Sequence, residues 1–105
     1  MQTQEIELIQ SSITNGRIYF PTTAAKFFPA DSFGDRKSDG HKGVPVTFTA
    51  GEFSFTDHIR VLSGQRFSPR SSFKRYLVSV GAKAGDKLRV TRTSEREYQV
   101  SHLLS

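Results

Sequence analysis

Side chains that bond to base edges and to phosphates collect in two stretches of this chain. The first holds Ser11, Ser12, Thr14, Asn15 and Arg17, and the second holds Thr56, Asp57, His58, Arg60, Ser63, Gln65 and Arg66. The second runs on into Ser68, Arg70, Ser71, Ser72 and Lys74. An arginine grips guanine O6 and N7 through two parallel N–H groups, Asn and Gln pair with adenine N6 and N7, and Asp accepts from cytosine N4. Hydroxyls and the amides at a helix start hold phosphates and set register without reading sequence. Arg17, Arg60, Gln65 and Arg66 are therefore the expected base readers. Ser68, Arg70, Ser71, Ser72 and Lys74 are the expected phosphate contacts, one of them also capping the helix that follows. Asp57 either accepts from cytosine or buttresses Arg60 or Arg66 so that the guanidinium stays in plane, and the buttress is the expected role. The same residue types make ordinary solvated turns and surface salt bridges, so composition leaves both readings open.

Other chemistries lack their residues. The three histidines, His41, His58 and His102, stand alone, with no partner at metal-ligand spacing, and read as solvated or hydrogen-bonding side chains. No Gly-x-Ser-x-Gly elbow surrounds any serine, and Gly34, Gly40 and Gly43 are too widely spaced for a nucleotide-binding loop. With no Cys there are no disulfides, thiolate ligands or thiol nucleophiles. The expectation is a protein without catalytic residues, metal or cofactor.

The elements that must position these side chains are short. Ile6 to Ile9 and Arg17 to Phe20 read as strands, joined by an exposed arm of turn formers that ends in Asn15-Gly16, a strong tight-turn signal. Thr22 is placed to cap a short helix through Ala24 to Phe28, stopped by Pro29, with Phe27 and Phe28 in the core. Residues 30–43 have loop composition and are the expected mobile segment. Val44 to Phe48 and Phe53 to Phe55 alternate about Ala50-Gly51 as a hairpin, and Ile59 to Val61 adds a strand. Ser68 as cap and Pro69 at the first position predict a helix over Arg70 to Gly81, with Phe73, Tyr76, Leu77 and Val80 on its apolar stripe. Leu88 to Arg92 and Tyr98 to Leu103 close the chain as two strands, and Gly85-Asp86 reads as a turn. About seven strands and two short helices in so few residues favour a mostly antiparallel barrel that pairs its edges.

Length and charge agree. The 105 residues, 35% hydrophobic and 24% charged, suit one small domain, 1–105, in which nine Phe and three Tyr supply much of the core. No apolar run approaches the roughly 20 residues of a membrane span, and Met1 to Glu7 lacks the pattern of a signal peptide, so a cytosolic location without membrane contact is expected. The net charge of +5 is regional: residues 1–51 balance to zero, and residues 52–96 carry ten basic against four acidic side chains. A local basic excess is the footprint of a polyanion binder, and it also occurs on proteins that bind none.

Order and spacing carry a resemblance. The run Ile6 to Pro29, with its Ser-Ser-Ile-Thr-Asn-Gly-Arg arm, Ile-Tyr-Phe-Pro strand end and Phe-Phe-Pro, resembles the opening of the plant B-three DNA-binding domain. Gly64-Gln65-Arg66-Phe67, the helix after it and Ala84-Gly85-Asp86-Lys87-Leu88 resemble that domain's second half. The bacterial version in restriction endonucleases and other restriction-modification proteins is closer still, matched by Phe27-Phe28-Pro29, Gly34, Thr56-Asp57, Arg66-Phe67, Gly85-Asp86 and Tyr98-Gln99-Val100. His58, between Asp57 and Ile59, departs from that pattern, and residues 31–43 do not match it clearly. The resemblance implies a mainly β, seven-stranded open pseudobarrel that grips double-stranded DNA in the major groove with an N-terminal arm, Ser11 to Arg17, and a C-terminal arm, Thr56 to Arg66. It implies a non-catalytic target-recognition domain acting on DNA in the bacterial cytosol, with any nuclease activity in another domain or subunit. Two other classes stay open. One is an RNA- or modified-base-binding barrel with Tyr19, Phe33 and Tyr98 as pocket walls; the other is a protein-interaction domain with incidental basic charge.

Overall fold

Aromatic side chains fill the interior around Tyr98. Its ring stacks on Phe48 with centroids 5.1 Å apart and packs against Phe27 at 5.1 Å and Phe28 at 5.5 Å. Its buried hydroxyl donates to the Phe27 carbonyl at 2.6 Å. Burial raises the Tyr98 pKa to about 12, with Arg92 and Arg96 pulling weakly the other way. Phe27 and Phe28 thus sit in the core as their sequence context requires.

The computed structural model describes residues 2–21, 26–34, 43–62, 66–69 and 72–103. Two sheets enclose the aromatic core. The first has five strands in the order β1-β8-β9-β4-β5: β1 (Thr3–Glu7), β4 (Val46–Ala50), β5 (Phe53–Asp57), β8 (Lys87–Ser94) and β9 (Glu97–Leu103). The second has four, in the order β2-β7-β6-β3: β2 (Phe20–Pro21), β3 (Phe33–Gly34), β6 (Ile59–Leu62) and β7 (Arg66–Pro69). Pairing is antiparallel except for β3 with β6 and β4 with β9. The architecture is the mainly β pseudobarrel that the pattern predicts, mostly antiparallel and with two short α-helices, α1 (Gln10–Asn15) and α2 (Lys74–Ser79). Among the described residues the strands number nine, because β3 and β7 form inside stretches rich in turn residues, where partner strands outweigh local preference.

The alternation β4–β5 and β8–β9 predicted is present, with Val46, Phe48, Ala50, Leu88, Val90, Tyr98 and Val100 buried. Three other expectations are corrected. The first arm is not a turn: residues Gln10–Asn15 form α1, and Gly16 at φ 70° is its left-handed stop, its N–H bonded to the Ser12 carbonyl at 2.8 Å. The same positive φ that makes Asn-Gly a hairpin signal makes it a helix stop, and Ile13 packing on the core selects the helix. Ser68 and Pro69 do not open a helix but end β7, in register with Arg60 and Ile59. A cap is worth about 1 kcal/mol, less than a strand ladder that also buries Phe67, so the helix begins only after Phe73. Its buried residues Phe73, Tyr76 and Leu77, with half-buried Val80, are the predicted stripe. Of the expected Ala24–Phe28 helix, residues 24 and 25 lie outside the described residues, as does its expected cap Thr22. So do residues 35–42 of the expected mobile segment, whose start instead forms a 3-10 turn, Ala30–Ser32.

Candidate nucleic-acid interface

The segment 15–21 ties the two predicted groups of contact residues together. After Asn15, the last residue of α1, and the left-handed Gly16 it alternates, with Ile18 and Phe20 buried and Arg17, Tyr19 and Pro21 on the opposite side, half-buried or exposed. At its start the chain docks on the beginning of α2: the Phe73 N–H donates to the Gly16 carbonyl at 2.6 Å, and the Ser72 hydroxyl donates to the Asn15 carbonyl at 3.3 Å. Only glycine fits here, since a Cβ at position 16 would fall on the Ser72 hydroxyl and the Lys74 amide. The backbone at Asn15 and Gly16 is thereby set beside Ser72 and Lys74. The Ser72 hydroxyl also accepts from the Lys74 N–H at 3.3 Å, but the N-cap position of α2 is Phe73 and no side chain caps it, so Ser72 bonds locally one residue before the capping position.

At its end the same segment pairs with β7, Phe20 opposite Phe67 and Pro21 opposite Arg66. Phe20 and Phe67 face the core; Pro21 and Arg66 face out. Tyr19 shares the outer face as the diagonal neighbour of Arg66, and the guanidinium carbon lies over its ring, 4.5 Å from the centroid. Arg66 is exposed, and among the described residues neither it nor Arg17 nor Lys74 forms an ion pair.

Several predicted contacts are placed elsewhere. Ser12 is 1% exposed, its hydroxyl accepting from the Ile9 N–H at 3.2 Å, because helical winding turns it inward. Ser68 is fully buried and bonds the Pro69 carbonyl, so it is no phosphate contact. His58 is buried too, with Nδ1 3.2 Å from Asp57 Oδ1, and Asp57 Oδ1 accepts the His58 N–H at 2.8 Å. The His58 side chain is inside, and that of Asp57 beside it is half-buried. Asp57 therefore supports its neighbour His58, and the described support of Arg66 is the Tyr19 ring. Thr56 belongs to the five-stranded sheet, its hydroxyl 3.1 Å from that of Thr47. Arg60 is half-buried, and its Nε and Nη2 are buried with no hydrogen-bond partner among the described residues. Ser11 and Thr14 stay on α1, Thr14 exposed and accepting from Gln10 at 3.4 Å. Ser63, Gln65, Arg70 and Ser71 lie outside the described residues, as does His41.

Sequence reasoning missed two features. Tyr19 entered only as a pocket wall, although its alternation with Ile18 and Phe20 already puts it outside the core. His102, isolated in sequence, meets Asp86 across sixteen positions, Nε2 to Oδ2 2.8 Å, and Asp86 also accepts the Lys83 N–H at 3.0 Å. That pair closes the expected Gly85-Asp86 turn, where the backbones of Leu8, Gly85 and Asp86 also bond. Of the three expected pocket walls, Tyr98 is in the core, Phe33 packs on Phe28 and Phe67, and Tyr19 lies under Arg66. Among the described residues no group of three potential metal ligands comes together, and no helix is long and apolar enough to cross a membrane.

Solved structures share this architecture from end to end. The N-terminal domain of Helicobacter pylori LlaJI.R1 superimposes with a TM-score of 0.71 at 16% identity, over 99% of this chain and 82% of that one. The chain has the B-three-like pseudobarrel fold. The Arabidopsis FUS3–DNA complex matches it with a TM-score of 0.66 at 17% identity, over 97% of this chain and 96% of that chain. The complex of the Arabidopsis thaliana transcription factor LEC2 with DNA matches at 0.61 and 21% identity, over 96% and 94%. No family model matches the sequence, and no curated protein matches it. The B-three-like fold thus rests on structure, and the sequence resemblance is confirmed at that level.

Proposed function

We propose that this B-three-like domain binds double-stranded DNA sequence-specifically in the major groove, without catalysing a reaction, as the target-recognition part of a restriction-modification protein. One observation carries the reading: Arg17, Arg66 and Lys74, none paired with a described carboxylate, lie on the segment 15–21 or on the elements it docks against, in a fold solved in complex with DNA. Arg17 and Arg66 read bases, with Gln65 next to Arg66 in sequence; Lys74 and Ser72, beside the Asn15–Gly16 stop, hold phosphates. The bacterial neighbour, LlaJI.R1, is a restriction-modification protein, which supports placing any nuclease in a separate domain or subunit.

Selection of duplexes from a randomised pool at physiological salt tests this. A motif of several base pairs is expected. Unenriched binding that vanishes as salt rises would leave only polyanion attraction and overturn the proposal.

A further inference from the structure

We infer that Tyr19 is a specificity-determining positioning residue: its ring holds the Arg66 guanidinium in one plane, so that Arg66 discriminates a base pair that Tyr19 never touches. The inference rests on the proposed function and extends it to a residue outside both predicted arms. Geometry makes the assignment. The Phe20–Phe67 pair, buried in the core, fixes the register of β2 against β7, and one residue to either side that register sends Tyr19 and Arg66 to the same outer face. The guanidinium then lies on the ring, 4.5 Å from its centroid.

A ring support differs from a carboxylate support in what it leaves available. A carboxylate takes two of the five guanidinium N–H donors and cancels the charge, whereas a ring engages the face of the ion and leaves every in-plane donor pointing outward. The arginine keeps both parallel donors that a guanine edge needs, with its plane already chosen. An exposed arginine would otherwise lose side-chain entropy on binding, and a ring that restricts it beforehand removes part of that cost. Arg66 pairs directly with Pro21, whose pyrrolidine ring adds neither charge nor N–H donor to compete for it.

The experiment measures affinity for the selected duplex, for its single-base-pair variants and for an unrelated duplex. Tyr19→Leu is expected to weaken the selected duplex by about tenfold, at the same base pair as Arg66→Ala, and to leave the unrelated duplex within about twofold. On the Arg66→Ala background Tyr19→Leu should add less than about twofold, because the two act as one unit. Tyr19→Phe, which keeps the ring, should bind like the natural chain; Arg66→Lys, which keeps the charge on an exposed site but loses the planar fork, should lose the preference. Thermal unfolding of each variant separates loss of fold from loss of contact, and Arg66→Lys with Tyr19→Phe carries the test if Tyr19→Leu does not fold. Additive losses, equal losses on all duplexes, or a Tyr19→Phe defect as large as that of Tyr19→Leu would overturn the inference while leaving sequence-specific binding intact. Absence of any preferred duplex for the natural chain would instead overturn the proposed function, and this inference with it.

Discussion

The two sheets treat their arginines in opposite ways. On the five-stranded sheet Arg89 reaches Glu5 at 3.2 Å across β1 and β8, Arg92 donates twice to the Glu95 carbonyl, and Arg96 pairs with Asp31 and bonds the Val44 and Pro45 carbonyls. Around the four-stranded sheet Arg17 and Arg66 meet no described carboxylate, Arg66 resting on a ring instead. The strands of the five-stranded sheet carry Lys87, Arg89 and Arg92 against Glu5, Glu7, Asp57 and Glu97, whereas those of the four-stranded sheet carry Arg60 and Arg66 and no carboxylate. The guanidinium groups of Arg89, Arg92 and Arg96 are bonded within the molecule, tying strands and turns, whereas those of Arg17 and Arg66 meet no described carboxylate and are left for a partner. A tied arginine must break its bonds before it binds a phosphate, which costs much of what the new contact contributes.

The sharpest way to break this comparison is at the joint that gathers the second group. Gly16→Ala forces a Cβ into a left-handed position already filled by the Ser72 hydroxyl and the Lys74 amide, and should destabilise the fold by about 2 to 4 kcal/mol, read by denaturant unfolding. A neutral outcome would mean that α1 and α2 are not held together at this point. Next in size, Arg66→Ala should cost about 1 to 3 kcal/mol at one base pair, whereas Lys74→Ala should weaken all duplexes alike and lower the salt slope by about 1, both measured by competition binding. Interchanged outcomes would reverse the roles of the β7 start and the α2 start.

Tyr98 anchors the frame rather than the interface. Its pKa is raised in the folded state above its ordinary value of 10.0, so the folded protein holds the proton longer than the unfolded chain does. Its stabilising effect is complete below pH 10 and falls as pH climbs toward about 12. Tyr98→Phe should cost about 1 kcal/mol near neutral pH, leave DNA affinity unchanged and flatten the alkaline fall, as followed by thermal melts against pH. The smallest effect is expected for Arg89→Ala: an exposed ion pair contributes under about 1 kcal/mol, and binding should stay within about twofold. A binding loss as large as that of Arg66→Ala would erase the distinction between the sheets.

The sequence was most legible where pattern and packing agree over several residues. Alternation in Val46–Ala50 and Lys87–Ser94, the helical spacing of Phe73, Tyr76 and Leu77, and the paired Phe27 and Phe28 all report which side chains leave water, and burial of apolar area dominates folding. Legibility failed where a local signal had two outcomes. Asn15-Gly16 suits a hairpin or a helix stop, and Ser68-Pro69 suits a helix start or a strand end; each local preference is small beside the strand or core that the segment joins. The candidate site was half legible for the same reason. Arg17, Arg66, Ser72 and Lys74 were named by chemistry and stay accessible, while Ser12, His58 and Ser68, chosen on the same chemistry, are inside.

By itself, then, the sequence determined the mainly β architecture, the aromatic core and the chemical types available for binding, because these depend on periodicity and side-chain identity over short windows. Tertiary structure alone decided which polar residues face out, that Tyr19 lies beneath Arg66, and that His102 finds Asp86. Those facts depend on the register between segments far apart in the chain, and a shift of one residue in that register exchanges the two faces of a strand.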